Sequence, residues 1–278
     1  MSLRAGAVAA LLTVASAASA APRVVTLGGD VTEIVYALGQ GDRIACDDQT
    51  SLYPAAATKL PQVGYLRTLA AEGVIACKPG VIIASEDAGP PAAVTQLKTS
   101  GVTYVEIGNA HAPEAVGGKI AAIAAALGVA DKGRMLEASY KAALARATAK
   151  IASYKDKPRA LFLMAQGPGG AMAAGHGSAA DAMLTLASAI NVAGFDGYKP
   201  LTPESALVLK PDVIVVADHA VKMLGGIDAL RARPEIAMTP AGKNGRIVAM
   251  DALLLLGFGP RTPEALEALG EALHEARP

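Results

Sequence analysis

Short runs of apolar, β-branched residues alternate along this chain with longer, amphipathic segments rich in Ala and Leu. The short runs are continuously apolar, as strands buried on both faces of a parallel sheet are. They predict seven strands, at residues 23–27, 43–46, 81–85, 103–107, 159–164, 213–217 and 246–250. Strands that alternate with helices of this size predict parallel α/β lobes.

Two helices have recognisable terminal residues. Asp30 is the predicted N-cap of the helix after the first strand, with Glu33 as its capping-box partner and Gly39 as its end. Ser178 is the predicted N-cap of a later helix, with Asp181 as its box partner.

A weak internal repeat divides the chain. Residues 72–84 and 204–216 both read E-x-x-x-x-x-K-P-x-V-I, which describes a helix led by Glu, a Lys-Pro stop and a strand. A Gly-Tyr pair stands upstream of each copy, at 64–65 and 197–198. The two copies lie about half a chain length apart, so the repeat predicts two similar lobes.

One long amphipathic segment separates the two copies of the repeat. Residues 131–154 contain no proline and predict a helix of roughly five or six turns. A single helix of this length is a stiff spine between lobes, and a ligand then sits in the crevice outside the carboxyl ends of the strands. We predict an N-terminal lobe at 21–128, a linking helix at 129–155 and a C-terminal lobe at 156–278.

The first 20 residues have the features of a signal peptide. Arg4 precedes an apolar run, and Ala18 and Ala20 frame an A-x-A pattern, so we predict cleavage after Ala20. The run is short and rich in Ala for a membrane span, and no later segment is longer. We therefore expect an exported mature chain, not inserted in a membrane, in a periplasm.

Charge and cysteine content narrow the class of protein. Lys+Arg and Asp+Glu balance at 25 each, and no basic run occurs, so we expect no nucleic-acid partner. The two cysteines, Cys46 and Cys77, are compatible with one disulfide in an oxidising compartment. They are equally compatible with two buried thiols, and the sequence leaves both alternatives open.

The motifs of common catalytic and nucleotide-binding sites are missing from the sequence. G-P-G-G-A-M at 167–172 departs from the dinucleotide fingerprint at its last position, and no phosphate-binding G-x-x-x-x-G-K-[ST] occurs. G-H-G-S-A at 175–179 has its serine one place too late for a nucleophile elbow. The histidines are dispersed, which argues against a multi-histidine metal site; they are His111, His176, His219 and His274. We therefore expect that the protein is not an enzyme.

Several segments together resemble a known family. They are R-V-V-T-L-G-G-D-V-T-E-I-V-Y-A-L-G, L-P-Q-V-G-Y-L-R-T-L-A-A-E-G-V, A-S-E-D-A-G-P-P, G-Y-K-P-L-T-P-E and G-F-G-P-R-T-P-E-A-L. In this order they are similar to the periplasmic haem-binding proteins of bacterial haem-uptake ABC transporters. The resemblance covers the mature chain. It implies the class III periplasmic binding protein architecture, an α/β fold of two Rossmann-like lobes joined by one long rigid helix.

The resemblance makes Tyr65 the axial ligand of the iron of ferric haem. A phenolate is a hard, anionic donor that suits Fe(III), and tyrosinate ligation of haem is known elsewhere. Because a neighbouring cation favours the ionised phenol, we expect Arg67 to donate a hydrogen bond to the phenolate or to a haem propionate. The alternatives are a turn tyrosine packed on the helix and a solvated arginine at the helix start.

Four further residues are candidates for the same site. Tyr198 and Lys199 are expected to face the crevice from the second lobe, with Lys199 near a propionate. His176 is expected to approach the iron from the far side or to bind a second, stacked haem; its alternative is an exposed loop histidine. Arg261 is a further candidate for a propionate, or a loop arginine beside a helix N-terminus.

Two glutamates complete the resemblance. Glu72 and Glu204 match by position the acidic pair that related binding proteins present to basic pockets on a permease. Each is also a favourable residue for the first turn of a helix.

The resemblance as a whole implies a protein, expected to be a monomer, that takes haem b as its transported ligand. It delivers this haem to an inner-membrane ABC permease and its ATPase. A siderophore or cobalamin binder shares the architecture but needs no Tyr ligand. An exported enzyme acting in the crevice is the alternative from another class.

Overall fold

The structure, a computed structural model, describes residues 21–165 and 171–274 of the 278-residue chain. The predicted signal peptide lies outside the described residues.

The first lobe is built around a parallel sheet of four strands. The strand order is β2-β1-β3-β4, with bounds β1 Val24–Leu27, β2 Ile44–Asp47, β3 Val81–Ser85 and β4 Thr103–Ile107. All residues of the first three strands are buried, as their continuous apolar character predicts. The helices of this lobe are α1 Gly29–Ala37, α2 Ala71–Ala76, α3 Pro91–Thr99 and α4 Ala115–Ala126. Short 3₁₀ turns lie at Gly41–Arg43, Ala57–Lys59 and Leu66–Thr68.

One long helix leads from the first lobe to the second. Helix α5 (Ala130–Ile151) has 22 residues and is therefore about 33 Å long. It packs against α4 and against the last helix of the chain, α13 (Thr262–His274). A continuous buried core includes Ile34 of α1, Ile120 of α4 and Leu266 of α13. The helix is thus held from both lobes, while the lobe boundaries at 128 and 156 stay a prediction.

The second lobe is built around a mixed sheet of six strands. The strand order is β10-β9-β5-β6-β8, and β7 pairs with β5. The bounds are β5 Arg159–Ala165, β6 Ala171–Ala174, β7 Ile190–Asn191, β8 Tyr198–Pro200, β9 Val213–Ala217 and β10 Ile247–Met250. The other helices are α6 Ala179–Leu186, α7 Pro203–Leu209, α8 Asp218–Met223, α9 Ile227–Arg231, α10 Pro234–Ala237, α11 Pro240–Lys243 and α12 Ala252–Leu256.

The sequence does not predict three of these strands. The predicted strands β5, β9 and β10 pair in parallel, but β6 runs antiparallel to β5 and β8 runs antiparallel to β6. The segments that form β6 and β8 read A-M-A-A and Y-K-P, with no β-branched residue. They are strands because they pair with a neighbour, so local propensity gives no sign of them.

The predicted cap of α1 is wrong. The helix begins before Asp30, with Gly28 at the N-cap and no capping side chain. The Asp30 carboxylate instead accepts a hydrogen bond from Lys119 Nζ at 2.7 Å, and both side chains are buried. Glu33 pairs with Arg261 rather than with the helix start. Both side chains that the motif assigns to capping therefore form buried ion pairs instead.

Other helix ends agree with the prediction. Gly39 follows α1 with φ +66°, the left-handed conformation in which a glycine ends a helix. The Ser178 hydroxyl caps α6 by accepting a hydrogen bond from the Asp181 N–H at 3.1 Å. Asp181 accepts from the N–H of Gly177, whereas the N–H of Ser178 donates to the Gly175 carbonyl, so the prediction of Asp181 as box partner is wrong.

A disulfide joins Cys46 at the end of β2 to Cys77 at the C-cap of α2. The Cα atoms are 6.2 Å apart, within the range that an unforced disulfide spans. The alternative of two buried thiols is therefore wrong in this structure. The bond closes a loop that contains Tyr65, Arg67 and Glu72.

Candidate functional site

The Tyr65 segment is fixed to the carboxyl edge of the first sheet. The N–H of Leu69 donates to the Gly89 carbonyl at 2.8 Å, and the N–H of Gly89 donates to the Leu66 carbonyl at 2.9 Å. Gly89 lies in the loop after β3. The segment therefore lies where ligands of parallel α/β lobes bind.

Tyr65 combines a fixed backbone with a free ring. Gly64 before it adopts φ +102°, and a Cβ there would meet no atom within 4 Å, so the backbone conformation rather than space requires glycine. Leu66 and Leu69 after it are buried in the core of the lobe. The Tyr65 side chain remains 41% exposed. A large aromatic ring is thus offered to whatever enters the crevice.

Arg67 bridges the phenol and a carboxylate. Its Nη1 donates a hydrogen bond to the Tyr65 hydroxyl oxygen at 3.2 Å. Its Nη2 forms an ion pair with Asp87 Oδ2 at 2.6 Å. The guanidinium is therefore directed at the phenol oxygen, while its role toward a ligand stays a prediction.

Sequence reasoning did not identify the two residues behind Arg67. Asp87 Oδ2 also accepts a hydrogen bond from Asn109 Nδ2 at 2.9 Å. Asp87 follows β3 by two positions, and Asn109 follows β4 by two positions. Polar residues just past the carboxyl ends of adjacent buried strands were the available signal.

Tyr198 lies in β8 of the second lobe. Burial raises the pKa of Tyr198, while a hydrogen bond with the Ser178 side chain and the positive charge of Arg67 oppose this rise. Arg67 belongs to the first lobe, so the two tyrosine-bearing walls lie within electrostatic reach of one cation. The structure brings together Tyr65, Arg67 and Tyr198.

Lys199 follows Tyr198 in the chain, and a bridge between His176 and Asp196 brings His176 close to the same segment, but the two side chains have different surroundings. Lys199 follows Tyr198 in β8, so its side chain leaves the other face of the strand, and its Nζ lies 5.0 Å from the centre of the Phe195 ring. His176 is exposed, and its Nδ1 is 3.6 Å from Asp181 Oδ1. Its N–H donates to the Phe195 carbonyl, which holds the His176 loop against β8.

Arg261 connects the two lobes. Its Nη2 donates to Glu33 Oε2 at 2.9 Å, and its own N–H donates to Glu33 Oε1 at 3.2 Å. Burial raises the pKa of Glu33, and the hydrogen bonds and charge of Arg261 oppose that rise. The Tyr53 ring covers the guanidinium at 3.6 Å, a contact that the sequence did not predict. Arg261 is therefore already paired in this structure.

Glu72 and Glu204 occupy equivalent places on the two lobes. Each lies in the first turn of its helix, α2 or α7, and each is exposed. Backbone N–H groups at the helix start and the Thr202 hydroxyl lower the pKa of Glu204. Within the described residues, no basic side chain lies at ion-pair distance from either glutamate.

The two copies of the sequence repeat also expose an apolar side chain at the same position. Three positions after each glutamate an apolar side chain is exposed, Ile75 in α2 and Leu207 in α7, and Val208 beside the latter is 77% exposed. Both helices end at a lysine in the left-handed conformation, Lys78 with φ +51° and Lys210 with φ +46°. We call these two matched surfaces, residues 72–78 and 204–210, the lobe tips.

Two kinds of site do not occur among residues 21–165 and 171–274. In these ranges no group of three or more His, Cys, Asp or Glu side chains could hold a metal ion. Nor does any helix in the described part of the chain have the length and apolar character that a membrane crossing needs.

Comparisons with known proteins agree with this architecture. The haem-binding protein RhuT of Roseiflexus sp. RS-1 in its apo form is 38% identical, with a TM-score of 0.88 over 92% of this chain and 99% of that one. The haem-binding protein BhuT, solved with two haems, is 40% identical, with a TM-score of 0.88 over 92% and 99% of the two chains. A vitamin B12-binding protein of Vibrio cholerae is 26% identical over 89% of this chain and 87% of its own length.

The model of one protein family covers most of the chain. Residues 24–254 match the family described as periplasmic binding protein, and this range includes both sheets and helix α5. The solved structures that resemble the chain share its two lobes over almost their whole length. This chain therefore belongs to the periplasmic binding protein family.

Proposed function

We propose that this protein binds haem in the crevice between its lobes and delivers it to an inner-membrane ABC permease. Tyr65 is the observation that supports the proposal most. It offers an exposed phenol on a fixed backbone, and a guanidinium donates to its oxygen at 3.2 Å. A phenolate is a suitable ligand for ferric haem iron. Haem-binding proteins of known structure resemble the chain over 92% of its length.

In this proposal two side chains have different roles in binding the haem iron. Tyr65 supplies the oxygen that binds the iron of the cargo, haem b. Arg67 donates a hydrogen bond to that oxygen and favours its ionised form, because a nearby positive charge stabilises an anion. The crevice supplies the apolar burial that a porphyrin gains on leaving water.

The second wall offers a further phenol and an imidazole to the same cargo. Tyr198 lies within electrostatic reach of Arg67, and His176 is exposed on the loop beside it. Either group would contact the far side of a haem bound at Tyr65, or a second haem stacked on the first. BhuT holds two haems. The number bound here is a quantity that titration gives directly.

Three cations are candidates to meet the haem propionates. Arg67 and Arg261 already pair with Asp87 and Glu33. Lys199 has a ring rather than a carboxylate beside its ammonium group, and no described acidic side chain lies at ion-pair distance. A propionate at either arginine must displace a carboxylate, and one at Lys199 must reach the face of β8 opposite to Tyr198.

Titration with haemin tests the proposal. The mature chain should give saturable binding and the absorption spectrum of a high-spin, tyrosinate-bound ferric haem. Cyanocobalamin and a ferric siderophore, titrated in parallel, should not displace it. The haem proposal fails if cobalamin binds and haemin does not.

Cobalamin is the alternative ligand that an observation supports, because a vitamin B12-binding protein resembles the chain at 26% identity. Cobalamin binding needs no tyrosine ligand. A cobalamin binder would therefore keep its affinity when the Tyr65 hydroxyl is removed, and a tyrosinate-ligated haem binder would not.

Location follows from the predicted signal peptide. We propose that export removes residues 1–20 and that the mature chain acts as a periplasmic monomer, as a binding protein rather than an enzyme. The mass of the chain purified from the periplasmic fraction tests the cleavage after Ala20.

We propose that the lobe tips dock on the permease. Glu72 and Glu204 are exposed acids without a described ion-pair partner, so they are available to basic groups on another protein. Ile75 and Val208 beside them are exposed apolar side chains, which contribute to binding once a partner buries them. Since one tip belongs to each lobe, a partner that contacts both senses how the lobes are spaced.

A further inference from the structure

A row of polar contacts leads from Arg67 into the first lobe. Arg67 Nη2 meets Asp87 Oδ2 at 2.6 Å, and Asn109 Nδ2 donates to the same oxygen at 2.9 Å. Asn109 Oδ1 accepts from Lys119 Nζ at 3.1 Å. Lys119 Nζ ends the row by donating to Asp30 Oδ2 at 2.7 Å. Each member thus touches the next, from the crevice surface to a buried ion pair.

The inner end of the row is rigid. Lys119 of α4 and Asp30 of α1 are 4% and 7% exposed, and each satisfies the charge of the other. The outer members are also held by backbone contacts. The N–H of Asp87 donates to the Ser85 hydroxyl at 3.3 Å, and the N–H of Asn109 donates to Glu86 Oε1 at 2.6 Å. Asp87 therefore stands at a fixed position relative to the sheet.

Stability alone does not explain the outer part of this row. Arg67 and Asp87 are 54% and 35% exposed in their side chains. An ion pair this exposed adds little to the free energy of unfolding, because water screens it and two flexible side chains must be ordered. What the pair does provide is orientation: with Nη2 held at Asp87, Nη1 is left at the phenol of Tyr65.

We propose that Asp87 is a positioning residue for bound haem, one that acts through Arg67. The carboxylate, backed by Asn109, holds the guanidinium against the Tyr65 oxygen and so lengthens the residence of the ligand at that oxygen. This inference rests on the proposed function, in which Tyr65 binds the haem iron. It assigns Arg67 to the phenol rather than to a propionate, because Asp87 holds Nη2 and Nη1 already donates to the Tyr65 oxygen.

A double-mutant cycle tests the inference. Asp87→Ala, Arg67→Ala and the double variant are loaded with haemin, and the rate of haem loss to excess apomyoglobin is measured. Asp87→Ala should speed haem loss about fivefold, a factor that matches the coupling of directly contacting residues. In the Arg67→Ala background the same change should alter the rate less than about twofold, because the group through which Asp87 acts is gone.

The spectrum of the bound haem supplies a readout that a merely structural role would not move. Asp87→Ala should shift the phenolate-to-iron charge-transfer band in the same direction as Arg67→Ala, since both variants remove the donor from the phenolate. Asn109→Ala should give a smaller shift of the same sign. Glu106→Ala is the matched control: it removes an exposed ion pair with Lys98 in the same lobe and should change neither rate nor band.

Two results overturn the inference. One is an equal acceleration by Asp87→Ala with and without Arg67; the other is an unchanged rate and band in Asp87→Ala. Both leave the proposed function standing, provided that the parent chain shows the tyrosinate spectrum. If the parent chain does not bind haemin, the proposed function fails first, and that outcome is recognised before any variant is made. Thermal unfolding of each variant identifies one that loses haem because it no longer folds.

Discussion

At Tyr65 the proposal depends on a single oxygen atom. Tyr65→Phe keeps the ring and removes only the hydroxyl that Arg67 contacts. The apolar crevice still favours the porphyrin, so part of the affinity should remain. The tyrosinate signature should disappear from the absorption spectrum, and haem should leave roughly tenfold faster or more, because a metal–ligand bond is lost.

Tyr198→Phe is the control for that experiment, because it removes the equivalent hydroxyl from the opposite wall. It should leave the tyrosinate signature in place. If the signature disappears in Tyr198→Phe and survives in Tyr65→Phe, the ligand lies on the second lobe. If neither substitution alters haem binding, the haem assignment itself is wrong.

Asp47 is a buried acid whose two carboxylate oxygens have no hydrogen-bond partner among the described residues. Burial, and then the charge of Asp48, raise the pKa of Asp47 to about 7. Because an unfolded Asp ionises near pH 4, the folded state is penalised increasingly as the pH rises from about 4 to about 7. Above that range the penalty is constant, and below it the penalty is absent.

Asp47→Asn should therefore stabilise the protein more at alkaline than at acidic pH. The difference in free energy of unfolding between variant and parent should grow by about 2–3 kcal/mol from pH 5 to pH 8. Urea unfolding at the two pH values measures it. An equal difference at both would mean that Asp47 ionises in the folded protein as it does in the unfolded chain.

At the scale of helices and strands, the disulfide is the feature with the clearest test. It closes a loop of sequence separation 31 that includes the Tyr65 segment and most of α2. Closing a loop of this length in the unfolded chain corresponds to about 3–4 kcal/mol of stability. Reductant should lower the free energy of unfolding by that order and should also weaken haem binding. Cys46→Ser/Cys77→Ser, the matched variant, should be insensitive to reductant.

Much of the fold can be predicted from the sequence where local apolar runs determine the structure. It cannot be predicted where contacts between distant residues determine it. All seven predicted strands occur, and continuous apolar runs such as V-I-V-V-A are buried on both faces, although β4 and β10 are partly exposed. The strand A-M-A-A has no such run and owes its conformation to its neighbours in the sheet. Asp30 has the local signature of a cap, but its true partner, Lys119, is 89 positions away.

The residues of the candidate site likewise fall into those that the local sequence predicts and those that it does not. Tyr65 and Arg67 were found because they are two positions apart and carry a family motif. Asp87 and Tyr53 were missed because each contacts an arginine that is distant in the chain, and Asn109 because it contacts Asp87, 22 positions away. Local sequence indicates which residues bear the chemistry, and only the fold shows which residues hold them in place.

At the scale of the whole molecule, the pairing of Arg261 with Glu33 matters for how the lobes move. The pair joins positions 228 apart in sequence and is mostly buried, as is the helical layer around α5. Both features resist large changes in the angle between the lobes. The distance between the lobe tips is therefore a property that a permease can recognise.

Charge reversal at the lobe tips tests docking. Glu72→Lys and Glu204→Lys should each reduce haem uptake roughly tenfold in vesicles that contain the cognate permease and ATPase, because like charges then face each other. Haem affinity should stay unchanged. Asp131→Lys, which reverses an exposed charge on α5, is the control and should leave uptake intact. Loss of haem binding in Glu72→Lys would instead assign that residue to folding or to the crevice.

Because the lobe tips match, a partner that contacts only these surfaces cannot distinguish the two orientations in which the protein docks. The two tips present the same three features, so exchanging one lobe for the other presents them again. A partner with two equivalent halves then meets an acid, an exposed apolar turn and a left-handed lysine in either orientation. If docking uses only these matched features, as the proposed function holds, the two orientations are equivalent, and this twofold degeneracy contributes RT ln 2, about 0.4 kcal/mol of binding free energy. A protein that docks in this way would have to release its cargo with either lobe over either half of the permease.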